Sequence, residues 1–151
     1  MEKALEKAKH FCGYQERCHQ EVKQKLFGMG MYKEEVEELL STLIADGFLN
    51  ESRFAEMFVS GKSRIKGWGK QKIAHALRLK GVSDYNIDKA LRSLDITDYD
   101  KTFLRAAEKK WESLKGEKNI FVKKAKWQRF LLQKGFEASK LRSFVFPENG
   151  H

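Results

Sequence analysis

Between positions 62 and 80 the chain sets seven cations, Lys62, Arg64, Lys66, Lys70, Lys72, Arg78 and Lys80, around Trp68, which stands between Gly67 and Gly69. Ammonium and guanidinium groups neutralise phosphates or pair with carboxylates, and an aromatic ring beside them can stack on a base or enter an apolar pocket. A tryptophan where two helices meet can equally fill their joint, so Trp68 reads either as a contact residue on a mobile turn or as packing. A second basic group, Lys123, Lys124, Lys126 and Arg129, with Lys134 at the turn that follows, surrounds Trp127. Contact with a polyanion and a plain solvated face are both open for it.

Other combinations carry less chemistry. Gly67-Trp68-Gly69 begins like a phosphate-binding glycine loop, but no strand precedes it and Lys70-Gln71-Lys72 follows in place of a third glycine. His10 and Cys12 could supply a base and a nucleophile, yet two residues on a helix point about 200° apart. His19, His75 and His151 stand at no catalytic spacing from a serine or cysteine. Cys12 and Cys18 fit no common zinc pattern and read as reduced, partly buried thiols. No catalytic residue, metal or cofactor is assigned, and no small-molecule substrate is expected.

The elements that position these residues repeat. Ile73, Leu77, Gly81, Ile87, Leu91 and Leu94 recur 51 residues earlier as Val22, Leu26, Gly30, Val36, Leu40 and Leu43. They recur 54 residues later as Trp127, Leu131, Gly135, Leu141 and Val145. Each copy reads as an amphipathic helix, a glycine turn and a second amphipathic helix. Val36, Leu39, Leu40, Leu43 and Ile44 follow the spacing of a helical stripe, as do Phe54, Met57 and Phe58 on a helix capped by Asn50. Ser83 or Asp84 opens a later helix, and another begins near Asp98. With a leading helix added to each pair, the prediction is an all-α chain of three three-helix repeats: 1–48, 49–96 and 97–147, with a tail at 148–151. Repeats of this size stack as an elongated, curved array whose faces bind large partners. Lys115-Gly116-Glu117-Lys118 is the loosest internal linker.

Charge is distributed unevenly along the array. Residues 1–48 carry 7 Lys and Arg against 9 Asp and Glu, residues 49–96 carry 10 against 5, and residues 97–151 carry 13 against 7, within a net charge of +9. The later repeats therefore suit DNA phosphate or an acidic protein surface. The acidic run Glu34-Glu35-Val36-Glu37-Glu38 reads as the solvated face of a helix start. No apolar run approaches the roughly 18 residues of a membrane span. Met1-Glu2-Lys3 leads into a charged helix and not a signal peptide, so a cytoplasmic location is expected.

Phe48-Leu49-Asn50-Glu51-Ser52-Arg53-Phe54-Ala55, then Gly67-Trp68-Gly69, Ile73 and Leu77-Arg78-Leu79-Lys80-Gly81-Val82-Ser83 resemble the signature of the RecX family, bacterial regulators of the RecA recombinase. Residues 48–94 resemble the family pattern nearly end to end. Lys70 stands where many members have proline, which implies a looser turn, and the third repeat is the most diverged. The resemblance implies a non-enzymatic modulator of DNA repair, recombination and the SOS response. It would bind along the groove of the RecA–DNA filament, inhibit recombinase activity, and touch single- or double-stranded DNA weakly and without sequence preference. The basic residues and Trp68 named above are the candidates for that contact.

A different class of function, a helix-turn-helix DNA-binding protein, is compatible with the paired helices. Its reader helices should present arginine, asparagine or glutamine near their starts. Here the second helices of the pairs open with Lys33-Glu34-Glu35, Asp84-Tyr85-Asn86 and Glu137-Ala138-Ser139, which mostly repel phosphate. A helical scaffold with no nucleic-acid role is a third reading, disfavoured by the charge distribution.

Overall fold

The repeated leucines and glycines become three copies of one helix ending. In the computed structural model, which describes residues 2–147, Gly30, Gly81 and Gly135 have φ of +84°, +80° and +98°. A left-handed residue there lets the next N–H turn back onto the helix. Met31, Val82 and Phe136 accordingly donate to the carbonyls of Leu26, Leu77 and Leu131 at 3.4, 3.1 and 3.1 Å. Those three leucines are fully buried, each contributing on the order of 1.5–3 kcal/mol of apolar transfer.

Among the described residues all regular structure is helical: α1 (Glu2–Tyr14), α2 (His19–Gly28), α3 (Lys33–Ala45), α4 (Glu51–Arg64), α5 (Lys70–Leu79), α6 (Asp84–Arg92), α7 (Ile96–Ser113), α8 (Ile120–Gln133) and α9 (Ala138–Ser143). None is long and apolar enough to cross a membrane. The chain divides into two compact units, Met1–Met57 with Leu77–Ala90 and Phe58–Ala76 with Leu91–His151. Residues of α4, α5 and α6 contribute to both. The expected tail at 148–151 lies outside the described residues.

In the first unit, α1–α3 enclose an aliphatic cluster of Ala8, Cys12, Val22, Leu26, Val36, Leu39, Leu40, Leu43 and Leu49. Glu21 and Glu35 reach back to accept from the N–H groups of Cys18 and Tyr32 at 3.1 and 3.0 Å, satisfying donors at the starts of α2 and α3. The family-like segment after Leu49 has a structural explanation, residue by residue. The Asn50 side chain accepts from the Arg53 N–H at 2.9 Å and caps α4. Glu51 accepts from the N–H and hydroxyl of Ser83 and from the Asn86 side chain, tying the start of α4 to the start of α6. Arg53 donates to the Gly47 carbonyl at 3.0 Å and pairs with Glu16, while Phe54 and Ala55 are buried.

The second unit is built on rings. Tyr99, Phe103, Trp111, Trp127, Phe136 and Phe144 form its cluster with Ala107, Leu131 and Leu141. The Trp127 indole N–H donates to the Ala107 carbonyl at 3.0 Å, fixing α8 against α7. Asp95 caps α7 through the Asp98 N–H, and that helix starts at Ile96, two residues before Asp98. Asn119 caps α8 through two N–H groups.

Three apolar assignments do not hold. Ile44, read with the stripe of α3, is 47% exposed. Val145, aligned with Leu91 and Leu40 by the repeat, is 86% exposed. Helix α9 stops at Ser143, and the extended chain beyond turns Phe144 inward in its place. Met57, read as part of a stripe with Phe54 and Phe58, is 61% exposed.

Candidate functional site

The turn between α4 and α5 is held on both sides. Gly67 has φ +66°, and the Trp68 N–H donates back to the Lys62 carbonyl at 3.0 Å. Gly69 then lies directly against the α8–α9 turn. Its N–H donates to the Lys134 carbonyl at 2.8 Å, and the Gln71 N–H donates to the Gly135 carbonyl at 2.9 Å. A Cβ on Gly69 would collide with the backbone of Gly135 and Phe136, and one on Gly135 would collide with Lys72. Glycine is therefore required at both positions by close backbone approach. The Lys134 ammonium adds a hydrogen bond to the Lys66 carbonyl at 3.2 Å.

Lys70, in the place of the proline, gives this turn one more hydrogen bond. Its N–H, which proline lacks, donates to the Tyr99 hydroxyl at 2.9 Å, and that hydroxyl donates to the Glu137 carboxylate. Burial, reinforced by the Glu137 hydrogen bond, pushes the Tyr99 hydroxyl well above its ordinary pKa. Lys140 pairs with Asp100 close by, and the Lys70 ammonium stands 4.8 Å from the Tyr99 ring centre.

Trp68 is half-buried, and its ring faces two ammonium groups, Lys72 at 4.4 Å and Lys62 at 4.8 Å. Cation–π attraction of about 0.5–1 kcal/mol at such exposed sites orients the lysines. The indole thus sits on a hydrogen-bonded turn with two ammonium groups over its ring. Lys66 is exposed, as is Arg64, whose Nε donates to the Ser60 hydroxyl at 3.3 Å.

The basic residues read together in the sequence are divided between the two units. Lys62, Arg64, Lys66, Lys70 and Lys72 belong to the second unit, whereas Arg78 and Lys80 belong to the first. Arg78 pairs with Asp84 at 3.5 Å, and half-buried Lys80 bears electrostatically on Cys18. Lys123 is withdrawn from the surface altogether, at 2% exposure, with its ammonium 4.0 Å from the Trp111 ring centre. Periodicity missed this because a lysine stem can lie along a ring and bury. Lys124, Lys126 and Arg129 are exposed on α8, with the Lys124 ammonium 5.0 Å from Phe146.

Lys134 also lines a cavity of about 320 Å³ with Ala106, Lys109, Lys110, Ser113 and Phe130. The Lys110 ammonium lies 4.7 Å from the Phe130 ring centre. Lys109, Lys110 and Phe130 were not singled out from the sequence. The signal was there in the spacing of Ala106, Lys109, Lys110 and Ser113, which is one helical stripe. Three lysines around an aromatic floor can take an anionic group joined to a flat or apolar one.

Cys12 and Cys18 are buried free thiols, and burial raises both pKa values. Thiolate chemistry is suppressed in such surroundings. Among the described residues no three His, Cys, Asp or Glu side chains are grouped to hold a metal ion.

Comparison with known proteins follows the same lines. The family model for the second three-helix domain of RecX matches residues 50–91, and that for the third matches residues 98–145. Regulatory protein RecX of Prosthecochloris aestuarii is 33% identical over 142 residues, spanning 93% of this chain and 89% of that protein. Regulatory protein RecX of Clostridium perfringens is 32% identical over 130 residues, 85% of this chain and 60% of that protein. A crystal structure of RecX from Lactobacillus salivarius shares the fold, with a TM-score of 0.84 at 24% identity over 94% of this chain and 92% of that one. Sequence identity over nearly its whole length, together with the two matched three-helix domains, makes this chain a member of the RecX family of regulatory proteins.

Proposed function

We propose that the chain regulates the RecA recombinase by binding the RecA–DNA filament and inhibiting it, with the basic surface of the second unit as its contact. The observation that carries this is the junction of Gly69 and Lys134. It joins Lys62, Lys66 and Lys72 to Lys134, Lys109 and Lys110 within one unit. Cations borne by two different repeats then act as one patch, suited to phosphate or to acidic protein surface. The helix-turn-helix alternative finds less support, since Asp84 lies in the first turn of α6 and Glu137, at the start of α9, is engaged by Tyr99.

The test replaces Lys66, Lys70 and Lys72 together by alanine. Each change should alter stability by less than about 0.5 kcal/mol. The variant should melt like the parent but require a several-fold higher concentration to inhibit ATP turnover by RecA on single-stranded DNA. Its residual inhibition should depend less on salt, because fewer counterions are released. Unchanged inhibition by a folded triple variant would remove this surface as the interface.

A further inference from the structure

We propose that the first unit carries a second, separate docking site: a groove between α1 and α2 that takes an acidic peptide segment bearing an apolar side chain. This goes beyond the filament reading and does not depend on it. The groove encloses about 520 Å³ and is floored by Phe11 and Met29 with Tyr14 as a wall. Lys7, Arg17 and Lys25 rim it. On α1, residues 7, 10, 11 and 14 follow one helical stripe, adjacent to the stripe of Ala8 and Cys12 that enters the core. Phe11 and Met29 pack against the α1–α3 cluster from this side, and Tyr14, 78% exposed, adds apolar surface that the cluster does not use.

The cations are positioned and not merely nearby. The Arg17 guanidinium lies 3.7 Å from the Phe11 ring centre, its Nε donates to the Phe11 carbonyl at 3.1 Å, and it pairs with Glu21 at 3.7 Å. The Lys25 ammonium lies 5.4 Å from the same ring. A carboxylate arriving beside Phe11 would meet the guanidinium that lies over its ring and the Lys25 ammonium, while its apolar neighbour packs against Met29 and Tyr14.

Charge complementarity selects the occupant. The rim sets three cations against the single lining carboxylate of Glu6, with His10 beside them. Yet the repeat that holds it has an excess of acids, 9 against 7. A nucleic-acid backbone needs a continuous positive track. Here Glu6 and Glu21 interrupt the cations and apolar side chains separate them, which suits isolated carboxylates spaced along a peptide.

The test uses the full chain and a fluorescein-labelled peptide, Asp-Glu-Phe-Glu-Asp, read by fluorescence polarisation, with amide NMR shifts to locate binding. The peptide should bind and perturb residues of α1 and α2, whereas its Asn-Gln-Phe-Gln-Asn counterpart and an Asp-Glu-Ala-Glu-Asp peptide should bind weakly. Lys25→Glu should weaken binding on the order of tenfold, and Tyr14→Ala several-fold, with melting unchanged because both side chains are exposed. The Lys66, Lys70, Lys72 triple variant should bind the peptide normally, which separates this site from the filament surface. The proposal is overturned if the neutral peptide binds equally well, if the shifts map outside α1 and α2, or if oligothymidylate occupies the groove in preference to the peptide.

Discussion

The first and third helix trios occupy the same repeat positions with side chains of very different size. Val22 of α2 corresponds to Trp127 of α8, and Val36 of α3 to Leu141 of α9. The first trio closes over aliphatic groups with a 13-residue third helix. The third has a six-residue last helix and closes with an extended segment. Its Phe144 stacks on Trp127 at 5.0 Å between ring centres, and Phe146 meets Trp111 at 4.6 Å and Trp127 at 4.8 Å. What the repeat conserves internally is therefore the helix ending, a buried leucine followed by a left-handed glycine. Core volume is filled locally by whatever chain is at hand. An aromatic cap of few large residues concentrates its stability in single side chains, whereas the aliphatic trio spreads it over many.

That contrast predicts unequal losses. Trp127→Ala should cost about 3–5 kcal/mol, because it removes a large ring from beneath Phe144 and Phe146 and the indole hydrogen bond that ties α8 to α7. Val22→Ala should cost about 2 kcal/mol, from two lost methyl groups and a small cavity. Urea midpoints followed by far-UV circular dichroism separate the two. Equal losses would mean that the aliphatic trio is as concentrated as the aromatic one.

The equivalent glycines sharpen the point. Gly30 and Gly135 both have positive φ, but a Cβ on Gly30 would meet open space, while one on Gly135 would strike Lys72. Gly30→Ala should therefore cost only the conformational strain, about 1–2 kcal/mol. Gly135→Ala should add a steric cost and reach about 3 kcal/mol. It should also disturb the Gly69 and Gln71 hydrogen bonds, and with them the basic surface around Trp68. A Gly135→Ala variant no less stable than Gly30→Ala would show that the two turns are not packed as tightly as their geometry requires.

Much of this architecture was legible because it rests on local rules. The glycine turns, the Asn50 cap and the apolar stripes of α2, α3, α5 and α6 follow from periodicity and end signals that act within a few residues. Legibility failed where a distant partner decided the outcome. The repeat could align Val145 with Leu40 but could not foresee that α9 ends early and that Phe144 takes the buried place. Lys123 looked like its neighbours Lys124 and Lys126 until Trp111, 12 residues earlier, covered its stem. The Gly69–Gly135 approach spans 66 residues, and no local pattern announces it.

The smallest expected effect distinguishes the two units by pH. Each has a polar tie, Glu51 in the first and Tyr99 in the second, and their ionisations oppose one another. Burial disfavours the Glu51 carboxylate, but hydrogen bonds from Asn86 and Ser83 outweigh it and hold its pKa below the ordinary 4.5. A depressed carboxyl stabilises the fold above its unfolded value, and that contribution fades as pH falls through the folded one. Tyr99 is raised above its ordinary 10.0, so the folded state keeps a proton that the unfolded chain releases, and stability falls as pH rises beyond that value. Glu51→Gln should flatten the acid limb of the melting curve between about pH 3 and pH 5 and leave the alkaline limb intact. Tyr99→Phe should do the reverse above about pH 10, at a cost near neutrality of about 1–2 kcal/mol, since the Lys70 N–H and Glu137 lose their shared partner. Because Trp68, Trp111 and Trp127 all lie in the second unit, tryptophan fluorescence should follow the Tyr99 limb more closely than circular dichroism does. Were Tyr99→Phe to leave the alkaline limb unchanged, the tyrosine hydroxyl would not be the group that sets it.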